Sequence, residues 1–535
     1  MKMTYIYSAA IGLALGFTAC EDFLDTMPDN RAELNSDEKI TAILVSAYPT
    51  HSSILLTEYG TDNVMDNGKE YNISHYYPIT EETYLWETSS ESSGNDDPNS
   101  VWQGYYSAIA AANQALVAIE EQGNPERLAP QRAEALLCRA YGHFMLANLF
   151  CLPYNPQTAS KDMGLPYASA PETKPEQTYE RGTLEELYSK INADIEAALP
   201  YVDDRIYTVP KYHFNVKAAY AFAARFNLFY VKADKSNYNK VVEYATKALG
   251  ASPASLTRQM IKYTAFGADD ISNEYVRTSE TANFLLLPAY SFAGRCMLGM
   301  EQRYNHARPI CTNETYWATG PWGTSGSSGF YISTLYGGNQ CVRFPKITEF
   351  WEETDKINGT GFAHIVHVAF SADETLLCRA EAYAFLKEYD KAAADLNIWQ
   401  SGHCYASYRD NRGVLRYLPE LTRERVNDFF TDIPYSPVEA IVDDESVATI
   451  KKTLHPQGFI VEAGEQENFI QCVLHFRRLE TLHDGSRWYD IKRYGIEVGH
   501  NRDGLSADIL KVDDPRRAIQ LPKDVIRGGL TPNPR

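Results

Sequence analysis

Two cysteines, Cys138 and Cys378, sit in the same five-residue phrase, LLCRA, at 136–140 and 376–380. A cysteine used twice in one setting could be a nucleophile or a metal ligand, and either role needs an accessible thiolate. The surrounding residues point elsewhere. Ala133, Leu136, Leu137, Ala140, Phe144 and Ala147 recur at three- and four-residue steps, the stripe of a helix packed on a core. At such positions a cysteine acts as a small hydrophobe, so Cys138 and Cys378 are expected to be structural. Arg139 and Arg379, one residue on, are expected to reach carboxylates on adjoining helices. His364 and His367 form the one close histidine pair and could hold a metal at that spacing. They lie in the apolar run AHIVHVAF, which reads instead as strand or core. GxGxxG, Walker A, HExxH, GxSxG and EF-hand spacings are absent from the sequence. With 70 acidic residues, no carboxylate pair for glycoside hydrolysis can be singled out. No catalytic residue, metal ligand set or cofactor is expected.

The phrase recurs because the helix recurs. VWQGYYSAIAAANQAL opens a helix over 102–121, and the first LLCRA lies in the next one. ELYSKINADIEAALPYV is a further helix, stopped by Pro200. NVKAAYAFAARFNLFYVKADK and YNKVVEYATKALG form a pair closed by Gly250, with FAAR (Phe222–Arg225) standing where LCRA stands elsewhere. The second LLCRA opens a third pair, in which Ala380, Tyr383, Tyr389 and Ala392 occupy the small and aromatic positions of a tetratricopeptide repeat. The fold class expected is therefore mainly α, a tetratricopeptide-like array of helix pairs carrying long loops and short strands. Its scaffold falls mainly at 101–250 and 372–400. Residues 51–100 and 265–370 are rich in Gly, Ser, Asn, Tyr and Trp and lack helical period. They read as long loops, which in a compact protein tend to carry function.

The start of the chain is equally informative. Residues 1–19 carry Lys2 and an apolar run from Ile6 to Phe17, too short to span a bilayer and ending in small residues, as a signal peptide does. GFTAC resembles a lipobox, which makes Cys20 the lipidation site, with Phe17 standing where Leu is usual. Residues 20–40 are polar and suit a lipidated tether, and 41–535 read as one domain. The other eight cysteines form no CxxC pair and no disulfide framework; Cys296 with Cys311 is the nearest candidate bridge. A net charge of −20 disfavours nucleic acid as a partner.

These features together resemble the SusD/RagB family of surface lipoproteins. CEDFLDTMP is similar to the family's lipidated Cys followed by DFLD and Pro, and Trp102, Tyr105, Ile109 and Asn113 to its first long helix. Phe476–Gly495, FRRLETLHDGSRWYDIKRYG, is the most specific match, through Arg477, Glu480, Gly485, Arg487, Trp488, Tyr489, Asp490 and Arg493. Asp484 and Phe476 each stand where the family usually has Glu. This block, with AIQLPKDVI and the final Asn533-Pro534, marks a C-terminal family segment at 470–535. Gly485 should turn the chain while Arg487 and Asp490 pair against the helices. The resemblance implies a non-catalytic outer-membrane protein facing the cell exterior. It would capture oligosaccharide for a SusC-like TonB-dependent transporter, although some relatives take peptides. A pure protein-binding scaffold is the remaining alternative. The family's ligand aromatics come from the two loop regions. Here those supply Tyr71, Tyr76, Tyr77, Tyr84, Trp86, Tyr290, Tyr304, Trp317, Trp322, Tyr331 and Tyr336, with Asn63, Asn72 and Arg295 as hydrogen-bonding neighbours. Glycine and serine around Trp317 and Trp322 predict that these two rings are exposed.

Overall fold

The computed structural model describes residues 34–68, 71–72, 76–90, 94–172, 179–299, 301–323, 330–332, 336–338, 341–439, 449–502 and 505–535. Cys20, the signal segment and most of the tether lie outside these residues.

Three helix hairpins form the scaffold. The first joins α2 (Pro98–Glu121) to α3 (Ala129–Phe150); α1 (Asp37–Leu44) packs on its outer end. Helix α2 starts one turn earlier than its apolar period indicates, because Asp97 caps it by accepting from the Ser100 amide and Pro98 fits the first turn. Gly142 on α3 is a contact glycine: a Cβ there would sit 2.7 Å from Ile109 of α2. Helix α4 (Leu184–Ala198) follows, opened by a Thr183/Glu186 capping box. The second hairpin is α5 (Val216–Phe229) and α6 (Ser236–Leu249), and the third is α7 (Ala372–Phe385) and α8 (Tyr389–His403). Gly250, at φ 65°, ends α6 as expected. Helix α7 packs on both α6 and α10 (Glu465–Glu480), and α9 (Arg423–Asp432) lies against α10.

The repeated phrase has a repeated use. Cys138 and Cys378 are buried on inner helix faces, and the neighbouring arginines bridge to the next helix. Arg139 makes a two-pronged pair with Asp194 of α4, both contacts at 2.7 Å. Arg379 does the same with Asp395 of α8 at 2.8 and 2.7 Å. Arg225, in the FAAR variant, reaches Glu374 of α7 at 3.1 Å. The Arg139 and Arg379 forks each lock one helix to the next through two parallel charge-assisted bonds, whereas Arg225 gives Glu374 one and the Ala369 carbonyl another. All eight described cysteines are free and buried, Cys296 and Cys311 included, so that candidate bridge is not formed. Burial pushes the thiols of Cys138 and Cys378 well up. A thiol reagent is accordingly expected to label none of the eight in the folded chain and all of them in denaturant; labelling of Cys138 or Cys378 in the native protein would contradict the packing.

The loop-rich middle holds more regular structure than its sequence indicates. Strands β2 (Asn283–Tyr290), β4 (Phe350–Asp355) and β5 (Thr360–Ser371) form an antiparallel sheet in the order β2-β5-β4. Tyr290 lies opposite His364. His364 and His367, an odd number of residues apart on β5, point to opposite faces of the sheet and cannot share an ion. Short pairs join β1 (Met65–Asp66) to β3 (Tyr304–Asn305) and β6 (Val498–Arg502) to β7 (Leu505–Leu510). One connected hydrophobic core runs from Ile40 to Leu530. No helix among the described residues is long and apolar enough to cross a membrane.

Candidate ligand-binding cleft

The β1–β3 pairing draws the two loop regions together. Asp66 receives both prongs of Arg303 at 2.9 Å, the Asn67 amide donates to the Arg303 carbonyl, and the Asn72 amide donates to that of Glu301. Tyr71 and Tyr76 lie ring to ring at 5.9 Å, and the Tyr76 hydroxyl donates to Glu81. The loop ends at Tyr77, whose ring stacks on Phe292 at 6.3 Å and 17°. Phe292 opens the short helix Ala293–Leu298. Arg295 from that helix lies over the Phe292 ring at 4.8 Å and pairs with Glu349. Gly294 lets the helix sit tight against this segment, since a Cβ there would meet the Glu349 amide at 2.4 Å.

Between these parts lies an open cleft of about 470 Å³, lined by Tyr77, Asp269, Arg295, Gln302, Arg343 and Glu349 among others. The Glu349 bond holds the Arg295 guanidinium above its ordinary range, so it is a fixed positive charge. One face of Tyr77 is backed by Phe292 and the ring lines the cleft. An aromatic face beside fixed donors and acceptors can hold a ring with apolar faces and polar edges. Glu349 is committed to Arg295.

Of the residues expected at the site, Arg295 and Tyr77 line this cleft. Tyr71 and Asn72 stand on the same loop junction. Tyr290 is half-buried beside His51 and Phe362 and does not line it. Three others turn inward. Asn63 is fully buried, donating to Glu58 and accepting from Arg478. Trp86 is buried, its indole N–H donating to the Gly60 carbonyl and its ring stacked on His500 at 4.3 Å. Trp322, expected to be exposed, is 2% exposed and packs against Tyr331 and Phe476. The neighbouring glycine explains the reversal. A Cβ on Gly320 would lie 2.2 Å from the Trp322 indole, so the glycine lets backbone close over the ring instead of leaving it bare. Trp317 is half-buried against the core. Tyr84, Tyr304 and Tyr331 are also buried. Sequence reasoning missed Phe292, although its position three residues before Arg295 on a helix would have served as a signal. Nothing local marks Glu349 or Asp269, which arrive from distant segments.

One trio of Asp373, His403 and Glu480 comes within ligand distance of one another, and it is buried. Its members already have partners: the Arg258 amide donates to Asp373, the Trp399 indole donates to Glu480, and His403 pairs with Glu480 at 3.0 Å.

A family model described as SusD-like, starch-binding associating with outer membrane, matches residues 22–228. Solved structures extend the likeness to almost the whole chain. A SusD superfamily protein from Bacteroides fragilis has 16% identity and a TM-score of 0.59, covering 93% of this chain and 99% of its own. A putative sugar binding protein from Bacteroides vulgatus has 16% identity and a TM-score of 0.60, covering 94% and 99%. Residues 22–228 are thus similar in sequence to the SusD-like family, and the chain shares the fold of these solved structures. Among curated proteins, none matches it.

In this chain the Phe476–Gly495 block is a buried charge lattice. Arg477 bridges Glu381 at 2.5 Å and Asp490 at 2.9 Å, while Arg493 and the Tyr494 hydroxyl also donate to Glu381. Asp490 pairs within the helices as expected, but Arg487 does not: its fork grips Asp62, in the loop that leads to β1. The block thus holds the loop that leads to β1. Asp484, in place of the usual Glu, still reaches Lys346, at 3.4 Å. Phe476 replaces a charge with a stack on Trp399 at 4.5 Å. Gly485 turns at φ 80°, against Thr57.

Glu58 supports that turn by accepting from the His483 and Gly485 amides. Burial pushes its carboxyl up from the usual 4.5 to about 7. A carboxyl raised on folding favours the fold below its unfolded value, and that contribution is lost as pH rises through the folded one. Glu58 should therefore cost stability progressively between 4.5 and about 7, reaching roughly 3 kcal/mol at about 1.4 kcal/mol per pH unit. Unfolding free energies of wild type and Glu58→Gln across this range should diverge; parallel profiles would contradict the assignment.

Proposed function

We propose that the chain is a cell-surface binding lipoprotein that captures oligosaccharide and delivers it to a SusC-like TonB-dependent transporter without catalysis. The observation that carries the ligand class is the Tyr77 ring, backed by Phe292 and set beside the Arg295–Glu349 pair in an open cleft. The family description, starch-binding associating with outer membrane, and the neighbour described as a putative sugar binding protein agree with that reading. In this proposal Cys20 carries the lipid, the tether holds the domain at the outer-membrane surface, and the helix pairs are an inert cradle.

The charged lining favours a second reading. Asp269, Arg295, Arg343 and Glu349 give the cleft two charges of each sign, which suits the polar ends and side chains of peptides. Migration of the purified domain through native gels containing neutral polysaccharides, set beside titration with mixed peptides, separates the two. Retardation by a polysaccharide with no release of reducing ends supports glycan capture. Peptide binding alone would overturn it, and appearance of reducing ends would overturn the absence of catalysis.

A further inference from the structure

A second cleft lies on the far flank of α2, away from the loops. Its volume is about 650 Å³, well inside the roughly 300–1,000 Å³ usual for small-ligand sites. Helix α2 forms one wall with two adjacent stripes. The first is aromatic: Trp102 and Tyr106, one turn apart, with ring centroids 4.8 Å from each other. The second is Gln103, Ser107, Ala110 and Gln114, at steps of four, three and four residues, of which Gln103, Ser107 and Ala110 are exposed. Pro166, Ala168 and Pro171 face the helix, and Val525 and Leu530 from the C-terminal segment close one side.

Two properties narrow the ligand. Among the described residues Glu172 is the one charged residue in the lining, and it already accepts from the Tyr179 hydroxyl. In a chain of net charge −20 such a neutral lining favours an uncharged ligand. Much of the backbone along the facing wall is already bonded. The Pro166 carbonyl accepts from Tyr106, the Ala168 carbonyl accepts from Asn113, the Ala168 amide donates to His143, and the Ser169 carbonyl accepts from Arg139. An extended peptide adding along this wall would find these four groups taken. Side chains offer the recognition, through an aromatic face beside amides and a hydroxyl, the set that suits a sugar ring's apolar face and hydroxyl rim.

We infer that the α2 cleft is a second binding site, specific for a neutral oligosaccharide and separate from the Arg295 cleft. The ligand class rests on the glycan reading proposed above; the site does not. The test is hydrogen exchange of the domain with a panel of neutral oligosaccharides (malto-, xylo-, manno- and cello-hexaose), repeated on Ala110→Trp. That substitution fills the cleft from an exposed position, whereas Trp102→Ala would also remove a contact with Phe150. The expected result is glycan-dependent slowing of exchange at 102–114 and 525–530 that Ala110→Trp removes, with any slowing at 294–302 and 343–349 retained. Slowing confined to 102–114 and 525–530 upholds this inference and overturns the Arg295 cleft as the glycan site. Slowing confined to 294–302 and 343–349, or slowing at α2 that survives Ala110→Trp, overturns this inference and leaves the proposed function standing. No slowing anywhere with any member of the panel overturns both.

Discussion

Glu381→Ala is expected to leave the chain unable to hold its fold. Glu381 is fully buried on α7 and accepts from Arg477, Arg493 and Tyr494. Burial alone would raise its carboxyl, but Arg493 and Arg477 override that and hold it at about 2. Removing the carboxylate strands two guanidinium groups in the core, with Asp490 left to neutralise both. Losing one partner of a buried pair costs about 3–5 kcal/mol, a large part of the roughly 5–15 kcal/mol that holds a domain together. The exposed pair Lys387–Glu462 is the control, with side chains 53% and 46% exposed. Glu462→Ala there should leave the unfolding midpoint almost unchanged, because water screens an exposed pair. Urea unfolding followed by far-ultraviolet circular dichroism checks both. Near-equal effects of the two substitutions would mean that the lattice is not what joins α7, α10 and the C-terminal block.

The second large effect concerns binding. Tyr77→Ala and Arg295→Ala should each weaken oligosaccharide binding at least tenfold, about 1.4 kcal/mol or more, with unfolding midpoints unchanged. Arg295 is 42% exposed and its partner Glu349 is 22% exposed, so water can solvate the carboxylate once the arginine is gone. Trp322→Ala is a different experiment. It removes a fully enclosed indole and should cost about 3–5 kcal/mol of stability, so a loss of binding in that variant would report damage to the core. Calorimetric titration together with thermal unfolding of all three variants separates the cases. Unchanged affinity in both Tyr77→Ala and Arg295→Ala would remove the cleft from the account.

What could be read from residues alone follows the range of the interactions. The helix pairs were legible because period and capping are local: LLCRA, FAAR and Gly250 each report on their own turn. Even the partners of Arg139 and Arg379 were predictable in kind, since a guanidinium on a buried helix face needs a carboxylate from the neighbouring helix. The loops were not legible in the same way. Glycine near Trp322 permits either exposure or close approach by backbone, and only the position of Tyr331 and Phe476 decides between them. Asn63 and Trp86 have the composition of ligand residues and serve the core. Arg295 was identifiable as a polar side chain on a loop helix, but its cleft depends on Glu349, Asp269 and Tyr77 arriving from three separate stretches.

The measurement that bears most directly on the central claim is a crystal structure of the domain soaked with the oligosaccharide it retains most strongly. The account predicts a sugar ring in the cleft, one face on Tyr77 and hydroxyls within reach of Arg295 and Gln302, over a helical array that does not move. Sugar bound elsewhere with this cleft empty, or a ring held across a pair of carboxylates with its glycosidic bond cleaved, would contradict it.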